Sequence, residues 1–277
     1  MKKQIQRYFL GWVMICLCVF GLKAQTGNII GINRNKELVR INLENANVSL
    51  MAPIKDLPSN ARLHGLVFIP ADTAFYTIMN PTSNPSLVKI WTNGWWKDIG
   101  PITFAGQPIQ LCESITYDEA SNRLLVSVSA NGGIQWNDYA SETLMEVSRS
   151  DGRCTRIASL KEGFLPDDFD RIAVFGTQLF GMDGRPDKNT TYIFPFILSE
   201  MSGEMYVGTK QNIPYFTMDD VMVIGQFLYF THKETNALYY YDMLARKWSQ
   251  VAPFKGDETL PGGVNITGMA YLPLPQV

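Results

Sequence analysis

Histidine is scarce in this chain: 277 residues carry two, His64 and His232. A three-histidine metal centre is thereby excluded. Cysteine is nearly as rare, and four residues are too few for a disulfide-dense scaffold. A Gly-rich phosphate loop, Gly-x-Ser-x-Gly and His-Glu-x-x-His are all missing. The motif support for P-loop nucleotide chemistry, α/β-hydrolase chemistry and zincin proteolysis is therefore missing too. No stretch of 12 or more residues repeats its apolar positions at 3.6-residue spacing, so long amphipathic helices are not expected. No basic cluster occurs, and 24 basic residues face 26 acidic ones, which gives no general attraction to nucleic acid. What is present is ordinary globular composition, 46% hydrophobic and 18% charged, and this excludes wholesale disorder.

The first residues read as a secretory signal. Lys2, Lys3 and Arg7 precede an uncharged, mostly apolar run from Tyr8 to Leu22, and Ala24 offers a cleavage point. The run has 15 residues, short of the roughly 20 that a membrane-spanning helix needs. A cleaved signal over 1–24 is expected, with an uncleaved anchor as the alternative. A lipoprotein is disfavoured, because Ile15 and Leu17 stand before Cys16 and Cys18 where lipidation signals want a small residue. No later stretch is long and apolar enough for a transmembrane helix. The short Lys-Lys signal has a bacterial look, so the expected location is secreted or periplasmic. Loss of the signal removes four basic residues and leaves a net charge of −6.

Residues 25–277 read as strands nearly throughout. Short runs of Val, Ile, Tyr, Phe and Leu alternate with Gly, Asn, Asp and Pro clusters. The runs recur. Met51-Ala52-Pro53-Ile54, Ile99-Gly100-Pro101-Ile102, Ile157-Ala158-Ser159-Leu160 and Val251-Ala252-Pro253-Phe254 each close a hairpin-like pair. Turns at Asn93-Gly94 and Asp151-Gly152 suit residues that tolerate positive φ. A weaker copy runs from Tyr192 to Val207, and Pro195 within it cannot donate to a ladder, so a distorted or edge position is expected there. A more apolar pair precedes each of the later pairs. Four strands per unit, with the first two packed on both faces, predicts a β-propeller.

Equivalent first-strand positions are His64, Glu113, Asp170, Asp220 and Thr267, spaced by 49, 57, 50 and 47 residues. About five units fit the chain, with six as the alternative if the longest step conceals strands. Residues 266–272 resemble a first strand with nothing after it, and residues 28–54 resemble a unit lacking one. Joining them would close the ring and remove both sheet edges. The last unit resembles a kelch-type repeat: Tyr240-Tyr241-Asp242 on one strand and Trp248 on the next match the aromatic-Asp pair and the Trp that kelch repeats share. The other units lack that Trp, except for the Trp95-Trp96 pair, and no unit carries the kelch double glycine after its second strand. The resemblance implies a propeller and no particular activity.

First strands line the central channel of a propeller, so the five aligned residues are expected to ring one mouth, with Asp167, Asp168 and Asp219 nearby. Glu113, Asp170 and Asp220 are candidate catalytic acids for glycoside hydrolysis, which requires a spaced carboxylate pair. Asp170 and Asp220 are candidate ligands for calcium, the only cofactor the sequence suggests. His64, Glu113, Asp170, Asp220 and Thr267, together with Trp136 in a long loop, are candidate contacts to a carbohydrate or protein ligand. Of Trp95 and Trp96, one is expected between blades and the other partly exposed. Residues 183–189 are expected as a solvated turn. Cys112 and Cys154 fall on the first and last strands of one unit, about three strand spacings apart, so two unbonded thiols are expected and a disulfide is the alternative. The favoured function is a binding module; a glycoside hydrolase is the alternative.

Overall fold

The computed structural model describes residues 27–129, 142–160, 169–199, 202–260 and 264–273. The expected signal at 1–24, Trp136, Asp167 and Asp168 lie outside these. Residues 28–272 form one compact unit, and of the other unit, the chain ends, only Gly27 and Pro273 are described.

The strands form an all-β propeller. Blade I takes β1 (Gly27–Asn33), β2 (Glu37–Ile41) and β3 (Asn47–Pro53). Blade II is β4 (Leu63–Ile69), β5 (Ala74–Met79), β6 (Ser86–Ile90) and β7 (Trp96–Pro101), followed by the short β8 (Thr103–Phe104) and β9 (Gln107–Pro108). Blade III is β10 (Cys112–Asp118), β11 (Arg123–Val128), β12 (Thr143–Val147) and β13 (Arg153–Leu160). Blade IV is β14 (Arg171–Phe175), β15 (Gln178–Arg185), β16 (Thr190–Ser199) and β17 (Glu204–Val207), and β18 (Gln211–Pro214) follows it. Blade V is β19 (Met218–Ile224), β20 (Phe227–His232), β21 (Ala237–Asp242) and β22 (Lys247–Pro253). After the short β23 (Lys255–Gly256), β24 (Ile266–Pro273) pairs with β1 and supplies blade I with its innermost strand. The two ends of the folded chain thus close the ring in one ladder.

The alternation of apolar side chains explains the ring. In β1, Ile29 packs toward blade V while Ile30 and Ile32 pack toward blade II. Each blade carries apolar residues on both faces, because successive strand residues point to opposite sides and both sides meet a neighbour. Among the described residues five buried clusters result, one at each junction between consecutive blades. Burying an Ile such as Ile30 completely contributes about 1.5–3 kcal/mol.

The recurring tetrapeptides have a second role at the outer rim. After its fourth strand, blade I donates Lys55 N–H to the carbonyl of Gly94 in the last turn of blade II (3.0 Å). Thr103 N–H of blade II reaches Gly152 O of blade III (3.2 Å), and Ser159 N–H of blade III reaches Gly203 O of blade IV (3.0 Å). Lys255 N–H, following blade V, reaches Ala46 O of blade I (3.3 Å). The acceptor always has positive φ, from 54° at Ala46 to 81° at Gly94. Gly94 is obligatory: a Cβ there would lie 2.0 Å from Pro53 O. Parallel bridges extend three of these straps, β8 on β13, β17 on β13 and β23 on β3.

Blade IV is the distorted copy. Around Pro195 the strand β16 changes partners: Thr190–Ile193 pair with β18, and Phe196–Ser199 pair with β17. Pro195 offers only its carbonyl, which accepts from Gly208 N–H (2.8 Å). The D-G-R segment at 183–185 belongs to β15, with Asp183 buried and 3.6 Å from Arg185. The solvated turn is therefore confined to Pro186–Lys188 and Asn189, because the hairpin extends three residues further than its polar composition suggests.

Cys112 and Cys154 are unbonded and sit on the first and last strands of blade III. Burial raises both thiols, Cys154 to about 12 and Cys112 well above its ordinary value. Both are expected to resist thiol-directed alkylation in the native protein at pH 8 and to react completely in denaturant. Mass spectrometry of the labelled protein reads this directly, and prompt native labelling of Cys112 would contradict the packing.

Candidate functional site

The first strands meet around the axis, with β10 packed between β4 and β14, and β14 beside β19. Three of them break register near the mouth, between His64 and Val67, Cys112 and Ser114, and Met218 and Val221. The extra residue in each bulge turns polar side chains away from the ladder toward neighbouring blades. The approach is close: a Cβ on Gly65 would lie 2.7 Å from Ile115 Cγ2.

Asp220 is fully buried on β19. Its Oδ2 accepts the backbone N–H of Leu66 in blade II (3.2 Å) and of Met269 in blade I (2.6 Å). Its own N–H donates to Thr231 Oγ1 (3.1 Å). One carboxylate therefore ties three blades together across the ring closure. Burial raises its pKa to about 7, against the lowering effect of these N–H donors and of Arg171. Ser114 Oγ makes the analogous, uncharged bond, accepting from Ile172 N–H of the next blade (3.1 Å).

Arg171 is the central residue that the sequence reading did not select. Its Nη1 donates to the carbonyls of Glu113 (3.0 Å) and Asp170, and its Nη2 to Met218 O (2.6 Å), so one guanidinium joins blades III, IV and V. A signal for it existed. The residue after each aligned position reads Gly65, Ser114, Arg171, Val221 and Gly268, a single long cation among small side chains that leave room for it. His64 Nε2 also lies on Glu113 O (3.0 Å). Burial, with help from the Arg171 charge, lowers His64 to about 3, so the ring is neutral.

The five aligned residues come to one mouth, and four of them, His64, Asp170, Asp220 and Thr267, have a side-chain atom bonded to backbone. Asp170 Oδ2 accepts from Gly184 N–H (2.9 Å), and Thr267 Oγ1 donates to Ile32 O (3.3 Å). Glu113, Asp170, His64 and Thr267 are half-buried, whereas Asp220 has no exposed face. Asp219 is half-buried beside Asp220; burial raises its pKa, and Arg171, Lys233 and Arg34 act against that shift. Lys233, Glu234 and Arg34 are exposed around it, so this mouth presents charges of both signs. Among the described residues no group of three or more His, Cys, Asp or Glu side chains is arranged to hold a metal ion. Nor, among them, is any helix long and apolar enough to cross a membrane.

The two tryptophans beside the blade II turn divide as expected. Trp96 packs at the junction of blades I and II and donates its Nε1–H to Lys55 O (2.7 Å), while Trp95 is 53% exposed with Lys55 Nζ 4.5 Å above its ring.

No protein-family model matches the sequence, and no curated protein matches it. Solved structures do. A chain of a nidogen/laminin complex superposes with a TM-score of 0.51 at 14% identity, covering 91% of this chain and 100% of that one. The PQQ-bound aldose sugar dehydrogenase of Streptomyces coelicolor gives 0.49 at 11% identity, covering 89% and 91%. TolB of Acinetobacter baumannii gives 0.49 at 10%, covering 90% and 67%. Identities this low speak to the fold alone, and the fold is that of a β-propeller.

Proposed function

We propose that this chain is an exported propeller, residues 25–277 after loss of a signal over 1–24, that acts as a binding module and holds a protein or carbohydrate ligand over the channel mouth. One observation carries the reading: the side chains of His64, Asp170, Asp220 and Thr267 are bonded to backbone groups of the blades, leaving a rigid ring whose accessible part is a half-buried set of mixed charge. Such a surface suits recognition, because preorganised polar groups lose little entropy on binding. The nidogen/laminin likeness is consistent with a protein ligand. Glu113, Asp170 and His64 are the contacts we assign; Asp220 and Thr267 act as ring fasteners. The kelch kinship of blade V rests on Trp248 and the Tyr241-Asp242 pair.

The test is calorimetric titration of the wild type and of a Glu113→Gln/Asp170→Asn variant with an oligosaccharide panel, with calcium as a separate titrant. Both substitutions keep side-chain size and an acceptor oxygen. A ligand at the mouth is expected to bind at least 10-fold more weakly to the variant while the melting temperature moves by only a few degrees. Undiminished binding would place the ligand elsewhere. Release of reducing ends by the wild type, lost in Glu113→Gln, would replace the binding module with a glycoside hydrolase.

A further inference from the structure

Four of the five outer junctions are closed by a strap from the preceding blade. The fifth, between blades IV and V, is open among the described residues. Blade IV continues its fourth strand from β17 into β18 along the same edge of β16, and only residues 215–217 then lead to β19, with Phe216 N–H donating to Thr191 Oγ1. No described backbone N–H donates to Arg246 O. Arg246 nevertheless has the same positive φ, 56°, as the four acceptors.

The residue two places after each acceptor shows what the strap covers. In blades I, III and IV this residue is Val48, Cys154 or Met205, each packed into a core cluster. In blade II it is Trp96, which packs beneath the strap of blade I and donates its indole N–H to the strap carbonyl of Lys55. In blade V it is Trp248. One side of its indole rests on Phe216 and Tyr239, yet it is 41% exposed, and Leu244 in the same turn is 69% exposed. Trp248 thus repeats the position of Trp96 without the chain that covers Trp96. The outer edge of β22 likewise has no strand partner among the described residues.

We propose that this open rim is a docking site for an extended segment of a partner protein, which completes the fifth junction as the chain's own straps complete the other four. The occupied rims define the occupant. A backbone N–H donates to Arg246 O, a carbonyl accepts the Trp248 Nε1–H, and a small–Pro–aliphatic sequence like Ala52-Pro53-Ile54 lies over the indole. Strand addition at an exposed edge gains backbone hydrogen bonds, while the side-chain contacts give specificity. Arg246 and Lys247 are both exposed here, so the segment carries an acidic residue beside its aliphatic one. This surface is separate from the channel mouth and does not depend on the reading given for it.

The probe is a fluorescein-labelled peptide with the sequence of residues 48–57, added to the whole protein and followed by anisotropy. Saturable binding is expected. A peptide with Glu in place of its Lys55 is expected to bind about 3–10-fold more tightly at low salt, and a scrambled peptide not to bind. Trp248→Phe, which keeps the ring packing but removes the N–H donor, is expected to weaken binding about 3–10-fold with the melting temperature nearly unchanged. Trp95→Ala is expected to leave it unaltered. Hydrogen exchange over residues 244–250 should slow when the peptide is present. Absence of binding by either peptide, or equal binding to Trp248→Phe, overturns the proposal. Self-association of the free protein that Trp248→Glu abolishes would make the occupant a second copy of this chain and overturn the assignment to a partner.

Discussion

Asp220→Ala is expected to destabilise the protein by about 3–5 kcal/mol, the largest loss for any single polar side chain in the ring. The substitution leaves the N–H groups of Leu66 and Met269 buried without their acceptor, in two different blades, and opens a cavity at the ring closure. Asp220→Asn keeps one acceptor oxygen and is expected to cost about 1–2 kcal/mol. The pair also reads out the protonation of the site. The folded-state pKa of Asp220 is about 7, against 3.8 as the ordinary value. Between those values the folded protein holds a proton that the unfolded chain has released. Stability from this group is therefore greatest below pH 3.8 and declines as pH rises toward 7, by roughly 4 kcal/mol in all. The protonated acid can still accept both N–H bonds on Oδ2. Asp220→Asn removes this dependence.

His64 works in the opposite direction. Its folded pKa is about 3 and its ordinary value 6.5, so the unfolded chain takes up a proton that the folded ring refuses. Its contribution is present above pH 6.5 and is lost as pH falls toward 3. The two dependences overlap between pH 3.8 and 6.5 and largely cancel. Urea midpoints of the wild type are expected to change little across that window. Those of Asp220→Asn should fall steeply on acidification, and those of His64→Gln should rise. Parallel curves for all three proteins would sink this account.

Arg171→Met is the second large effect, a loss of about 3 kcal/mol, because three carbonyls in three blades lose a charged donor. It also removes the positive charge that adds to burial in lowering His64. The His64 imidazole should then titrate at higher pH in NMR spectra, while His232, which burial lowers and whose charged neighbours are Glu234 and Asp219, serves as the internal control. Arg171→Lys separates the two roles. It retains the charge but not the planar fork, so His64 should stay depressed while much of the stability is still lost. A normal melting temperature in Arg171→Met would mean that the central guanidinium does not hold the ring.

The distorted fourth unit was legible in the sequence because Pro195 lacks an N–H, and a ladder cannot continue through it. The ring closure was legible because an isolated first strand at one end complements a three-strand unit at the other. The tetrapeptide repeat was visible too, but not its use. That Gly94 must be glycine follows only when Pro53 O arrives from another blade, and no local pattern records that approach. Asp220 and Asp170 looked equivalent along the chain; in space one is sealed between three blades and the other is half-exposed. Burial is a property of neighbours, so it was not written at either position. Arg171 illustrates the same limit, since its importance comes from carbonyls 47 and 58 residues away. By itself the sequence determined the strand class, the repeat and the residues that gather at the axis, because alternation, turn chemistry and spacing are local properties. Only the tertiary structure decided which acids face solvent, which cation fills the centre and which rim lies open, because these depend on contacts between blades distant in the chain.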